Sequence, residues 1–79
     1  MRVRARGYNE AARYSAALPS DAVLELPAAS TVEDLLEALE VPRRFFTDLV
    51  ILVNGRPATS QTPLCEGDRV IFFGALAGG

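Results

Sequence analysis

No lysine and no histidine occur in these 79 residues, and cysteine occurs once. Each shortage removes a class of chemistry. Without histidine, the usual general base at neutral pH and the commonest metal ligand are both missing. A Ser-His or Cys-His catalytic pair therefore cannot be built. Without lysine, the chain has neither a Schiff-base amine nor a side chain that could accept an isopeptide bond. Cys65 alone excludes an internal disulfide and a multi-cysteine zinc site, which fits a reducing compartment. All eight cationic side chains are arginine, set against ten Asp and Glu, for a net charge of −2. A general nucleic-acid binder carries a basic excess to displace counterions from phosphates, so no nucleic-acid partner is expected. No apolar run reaches signal or membrane length, so a cytoplasmic protein with no membrane partner is expected.

What is present reads as one small domain. Apolar residues make up 49% and charged residues 23% of the chain, the balance of a soluble globular protein. A domain of this size buries only about 60% of the surface its unfolded chain exposes. A stability of only a few kcal/mol is expected.

Arg2 to Tyr8 alternates Val3, Ala5 and Gly7 with three arginines, the period of a strand with one wet face. We read the arginines as a solvated face with cross-strand pairing, for instance to Glu25, in preference to an anion site. Asn9 to Ala17 suits a short helical turn or ordered loop, and Pro19-Ser20-Asp21 breaks it. Ala22 to Leu26 fits a second strand with Leu24 and Leu26 inward. Ser30 with Glu33, or Thr31 with Asp34, has the spacing of a capping box. Beyond it Val32, Leu35, Leu36 and Leu39 form one apolar stripe, with Glu33, Asp34, Glu37 and Glu40 turned outward. Burying each of those aliphatics contributes about 1.5 to 3 kcal/mol before entropy is counted. Pro42 is expected to end this helix.

Arg43 to Asp48 is a connector in which one of Phe45 and Phe46 should cover an edge of the core. Leu49 to Val53 is an unbroken apolar run, expected to be a strand covered on both faces or nearly so. Asn54-Gly55 is a strong hairpin signal, and Pro57 limits the returning strand to a short edge. Ala58 to Thr62 is polar and loop-like. Leu64 to Asp68 turns into a last strand, Arg69 to Phe73. Val70 and Phe72 share one face of it, Ile71 and Phe73 the other. That second face is too apolar for ordinary solvent surface, which suggests partner docking through Ile71 and Phe73. The order of elements is that of an α+β domain with one helix against a mixed sheet. A helix joining two strands of one sheet should cross over right-handed.

After this last strand come Ala75, Leu76, Ala77, Gly78 and Gly79. At an average glycine content of about 7%, two terminal glycines arise by chance in roughly 0.5% of chains. Glycine has no Cβ, so such an end can thread a channel too narrow for side chains and present its α-carboxylate as the reactive group.

The helix start Thr31-Val32-Glu33-Asp34-Leu35-Leu36, Val53-Asn54-Gly55, Leu64 followed by Gly67-Asp68, and Ala77-Gly78-Gly79 resemble, in order and spacing, the MoaD/ThiS family of ubiquitin-like sulfur carriers. The resemblance covers essentially the whole chain. It implies a ubiquitin-like β-grasp fold over residues 1–74, a mixed sheet of four to five strands with one main helix packed on one face, followed by a flexible Gly-Gly tail, 75–79. It implies a carrier that is not itself an enzyme and binds no cofactor. The carboxylate of Gly79 would be adenylated by an E1-like enzyme using ATP and magnesium, then converted to a thiocarboxylate. Ala75, Leu76, Ala77 and Gly78 would thread the partner's channel. The second partner would be the large catalytic subunit of molybdopterin synthase or an equivalent sulfur-accepting enzyme.

Gly74-Ala75 stands where molybdopterin-type carriers often have a proline pair. The long connection from Asn9 to Asp21 is more molybdopterin-like, and the pathway expected is molybdopterin synthesis. A thiamin-type carrier, a modifier conjugated through Gly79 to target lysines, and a docking domain with an incidental Gly-Gly end are the alternatives. Cys65 is expected to be a half-buried structural thiol.

Overall fold

The computed structural model describes residues 1–19 and 21–74. Alternation along Arg2–Tyr8 produces strand β1, in which every second residue is buried. A 3₁₀ helix, Asn9–Tyr14, follows at once. Then come β2 (Val23–Glu25), α1 (Val32–Ala38), a second 3₁₀ helix (Arg43–Asp48), β3 (Leu49–Val53), β4 (Arg56–Ala58) and β5 (Arg69–Gly74). The five strands form one sheet in the order β2-β1-β5-β3-β4. Only β1 and β5, the central pair, run parallel; the other neighbours are antiparallel. This is the expected α+β architecture.

Helix α1 has its backbone donors accounted for. Thr31 is the N-cap, and its amide donates to Asp34 Oδ2 at 2.8 Å while the Asp34 amide reaches Thr31 Oγ1 at 3.5 Å. Of the two capping boxes that the sequence allows, the second forms. The amides of Val32 and Glu33, orphans at any helix start, donate to the carbonyls of Thr62 and Ser60 at 2.9 and 2.8 Å. The polar loop after β4 thereby ties the helix start to the sheet. The other end differs from the expectation. The helix stops at Ala38, well before Pro42, because Glu40 adopts a left-handed conformation with φ +64°. The amides of Val41 and Glu40 then donate back to the carbonyls of Leu36 and Glu37. These two bonds are a Schellman motif, here with glutamate at the position glycine usually takes.

Val3, Ala5, Val70, Phe72 and Ile51 from the sheet pack with Val32, Leu35 and Leu36 from the helix, and with Ala11 and Phe46 from the 3₁₀ helices. Phe46 is therefore the phenylalanine that enters the core, and Phe45 packs half-buried at its edge. Gly7 lies where β1 passes under the first 3₁₀ helix. A Cβ on it would stand 2.2 Å from the Ala11 carbonyl oxygen, so the close approach requires glycine. At the hairpin, Asn54 and Gly55 take φ +53° and +82°, the two left-handed residues of a type I′ turn. Asp68 locks that end: one carboxylate oxygen accepts from Asn54 Nδ2 at 2.9 Å, the other from the Cys65 amide at 2.8 Å.

Candidate functional site

Because side chains alternate across a strand, sealing one face of the sheet with α1 leaves the other face carrying the intervening residues. On β1 these are Arg2, Arg4, Arg6 and Tyr8; on β5 they are Arg69, Ile71 and Phe73. The parallel register sets Tyr8 beside Phe73 and Arg6 beside Ile71. From the other side β3 brings Val50 to Phe73 and Leu52 to Ile71. Pro57 extends the row from β4. The result is a contiguous apolar patch at the end of the sheet where β5 runs out to Gly74. None of Tyr8, Val50, Leu52, Ile71 and Phe73 belongs to the core cluster. Tyr8 is 45% and Val50 36% exposed, while Ile71 and Phe73 are half-buried among their neighbours.

This placement corrects one expectation. Leu49–Val53 is covered on one face only: Ile51 is buried in the core, whereas Val50 is open to solvent. The apolar run there reflects the patch and not a second layer. Ile71 and Phe73, singled out from the sequence, lie at the centre of that patch. Tyr8, Val50 and Leu52 were not singled out, although the unbroken apolar run through β3 carried the signal. Ala75, Leu76, Ala77, Gly78 and Gly79 lie outside the described residues.

At the root of the tail, a cleft of about 370 Å³ opens between the two 3₁₀ helices, bordered by Glu10, Arg13, Tyr14, Phe45, Asp48 and Gly74. Arg13 and Arg44 stack over the rings of Tyr14 and Phe45, at 5.8 and 4.7 Å. Such stacks hold an aromatic ring and a cation together at a wet surface.

The charges are distributed unevenly. Arg2 pairs with Glu25 at 3.3 Å, as cross-strand pairing predicts. Among the described residues Arg4, Arg6 and Arg69 make no ion pair. Three of the ten acidic side chains, Glu33, Asp34 and Glu37, lie on α1, where Glu33 and Glu37 grip Arg43 between them. The hydrogen bond and charge of Glu33, reinforced by Glu37, push the Arg43 guanidinium above its ordinary pKa. Cys65 is exposed, contrary to the half-buried position expected, because the turn that holds its amide to Asp68 leaves its side chain at the surface. Among the described residues no three His, Cys, Asp or Glu side chains come together to hold a metal ion. Nor is any helix there long and apolar enough to cross a membrane.

The family model described as "ThiS family" matches residues 7–79, which include the Gly-Gly end. No curated protein sequence matches the chain. Among solved structures, SAMP1 from Haloferax volcanii is similar over 100% of both chains, with a TM-score of 0.76 and 21% identity, a likeness of fold. A candidate molybdopterin converting factor, subunit 1, from Pyrococcus furiosus is similar over 96% of this chain and 99% of its own, with a TM-score of 0.68 and 25% identity.

Proposed function

Because the chain belongs to the ThiS family, we propose that it is a sulfur carrier whose working group is the α-carboxylate of Gly79. The observation that supports this most is the course of β5. That strand runs through the middle of the sheet, presents Ile71 and Phe73 on the open face, and ends at Gly74, five positions before Gly79 in the sequence. Docking and delivery thus share one strand, so a partner that grips the patch holds the base of the tail in a fixed place.

The chemistry follows from what a carboxylate cannot do unaided. An ionised carboxylate is a poor electrophile and must first be activated. On an E1-like partner that binds ATP and magnesium, a Gly79 carboxylate oxygen attacks the α-phosphorus and pyrophosphate leaves. A sulfide-level donor then attacks the acyl carbon and displaces AMP, leaving a thiocarboxylate. In this scheme the domain catalyses neither step. Its part is to supply binding energy remote from the reacting atom, through Ile71, Phe73 and their neighbours, so that the tail is held where reaction occurs. Gly78 and Gly79 let the end enter a narrow channel, and Ala75, Leu76 and Ala77 fill its approach.

Likeness to the Pyrococcus protein supports molybdopterin synthesis as the pathway, with the large synthase subunit as the sulfur-accepting partner. The reading is tested by incubating the chain with an E1-like enzyme of the same organism, ATP, magnesium and sulfide, and measuring its intact mass. The expected product has one oxygen replaced by sulfur, and deletion of Gly79 should abolish it while leaving the circular dichroism spectrum unchanged. An unmodified mass alongside an enzyme that modifies another carrier would refute the reading.

A further inference from the structure

The proposed function uses the apolar half of the open face and leaves the cationic half without a role. In the parallel register Arg4 sits directly beside Arg69, and Arg6 is two residues along the same strand. Neighbouring strands lie about 4.8 Å apart and alternate residues about 7 Å apart, so three guanidinium-bearing positions fall within a Debye length of about 8 Å at physiological salt. Like charges placed directly opposite on a sheet destabilise it. Among the described residues no carboxylate forms an ion pair with them. Glu25 is engaged by Arg2. Asp21 borders the same shallow cleft as Arg4, Arg6 and Arg69, and its carboxylate, held by the Val23 amide at 3.2 Å, offsets the row only in part. Glu66 accepts from the Arg2 amide, and both oxygens of Asp68 are used in holding the turn. Of the remaining acidic side chains, Glu33, Asp34 and Glu37 lie on α1 and Glu40 just beyond it, while Glu10 and Asp48 border the cleft at Gly74.

A net charge of −2 therefore conceals an uneven distribution: three arginines without an ion pair on the open face, beside the apolar patch, and opposite them α1 with Glu33, Asp34 and Glu37, of which Glu33 and Glu37 share Arg43. We infer that Arg4, Arg6 and Arg69 are a steering and specificity element for a protein partner whose docking surface sets a cluster of carboxylates beside an apolar area, on the side away from the channel that takes the tail. This rests on the carrier reading and adds the chemistry of the activating partner's surface to it. An acidic partner is repelled by the helical face and attracted by the sheet face. Encounter is thereby biased toward the orientation in which Ile71, Phe73 and the root of the tail meet the partner. Charge arranged this way acts mainly on the rate of association and on the rejection of wrong partners.

The test uses the full chain and an E1-like enzyme of the same organism. Stopped-flow association is measured from low to high salt for the wild type, the double reversal Arg4→Glu with Arg69→Glu, and the control Arg56→Glu, an exposed β4 position that borders neither the arginine row nor the cleft at Gly74. Pyrophosphate exchange is measured separately. The double reversal should slow association about tenfold or more at low salt and flatten its salt dependence, with the control unchanged and the melting temperature preserved. Should the double variant not fold, the neutral pair Arg4→Gln with Arg69→Gln reads the same effect with a smaller slope. Equal association rates for wild type and double reversal overturn the inference, as does tighter binding of the row to single-stranded RNA or to a second copy of the chain than to the enzyme. Salt-dependent association without pyrophosphate exchange sinks the carrier reading and leaves the inference about the acidic partner standing. Exchange with no effect of the reversal does the opposite.

Discussion

The same strands make both faces of the sheet, yet the two faces obey different rules. On the sealed face Phe72 is fully buried against Leu35 and Leu36, and Gly7 is pressed against Ala11. One residue along β5, Phe73 stands between Tyr8 and Val50 and lies outside the core cluster. Hydrophobicity in a strand therefore has two uses. On one face it holds the chain together; on the other it lies outside the core cluster, beside exposed arginines.

Adjacent phenylalanines give the largest test of this division. Phe72→Ala should cost about 3 to 5 kcal/mol in urea unfolding, which is most of the stability of so small a domain. Phe73→Ala should lower stability far less while weakening partner binding about tenfold or more, as expected of an aromatic anchor. If both substitutions unfold the chain equally, the open face is part of the core after all. The close approach at Gly7 comes next. Gly7→Ala should destabilise by about 1 to 3 kcal/mol through overpacking against the first 3₁₀ helix, with a matching fall in the urea midpoint. A neutral result would show that this helix can lift from β1. The smallest effect concerns the end of α1. Glu40→Gly should stabilise by up to about 1 kcal/mol, because glycine removes the Cβ strain of the left-handed conformation. A loss of stability there would mean that the glutamate side chain contributes more than its backbone costs.

Much of this arrangement was legible in the residues. The period of two in Arg2 to Tyr8, the stripe of Val32, Leu35, Leu36 and Leu39 and the Asn54-Gly55 turn are local signals, decided by neighbours within a few positions. The strand and the turn formed as read, Leu39 packs half-buried from the C-cap just beyond the helix, and of the two capping boxes left open the Thr31–Asp34 one formed. Three readings failed for physical reasons. The end of α1 was assigned to Pro42, but a Schellman turn through Glu40 closes the helix earlier, and glutamate gives no sequence sign of a left-handed residue. An apolar run such as Leu49–Val53 looks the same whether its second face is covered by another layer or, as here at Val50, open to solvent. Cys65 was expected half-buried, and the orientation of one turn placed it outside. The row of arginines was read as solvated and cross-paired. That holds for Arg2 with Glu25, and Arg4 and Arg6 were left with Arg69 as a neighbour.

What the sequence alone determined is the chemistry that this protein can carry. With no histidine, no lysine and one cysteine, the described domain has little reactive machinery, and attention falls on the glycine end; composition and local periodicity decide such matters because they need no knowledge of distant neighbours. Only the tertiary structure decided which strands pair. The parallel match of β1 with β5 joins residues 65 positions apart, such as Arg4 with Arg69. That match depends on how the whole chain packs around Phe72, since no short-range preference specifies a partner so far away. The same pairing sets the arginine row beside the patch of Ile71 and Phe73, and so turns two separate sequence features into one surface.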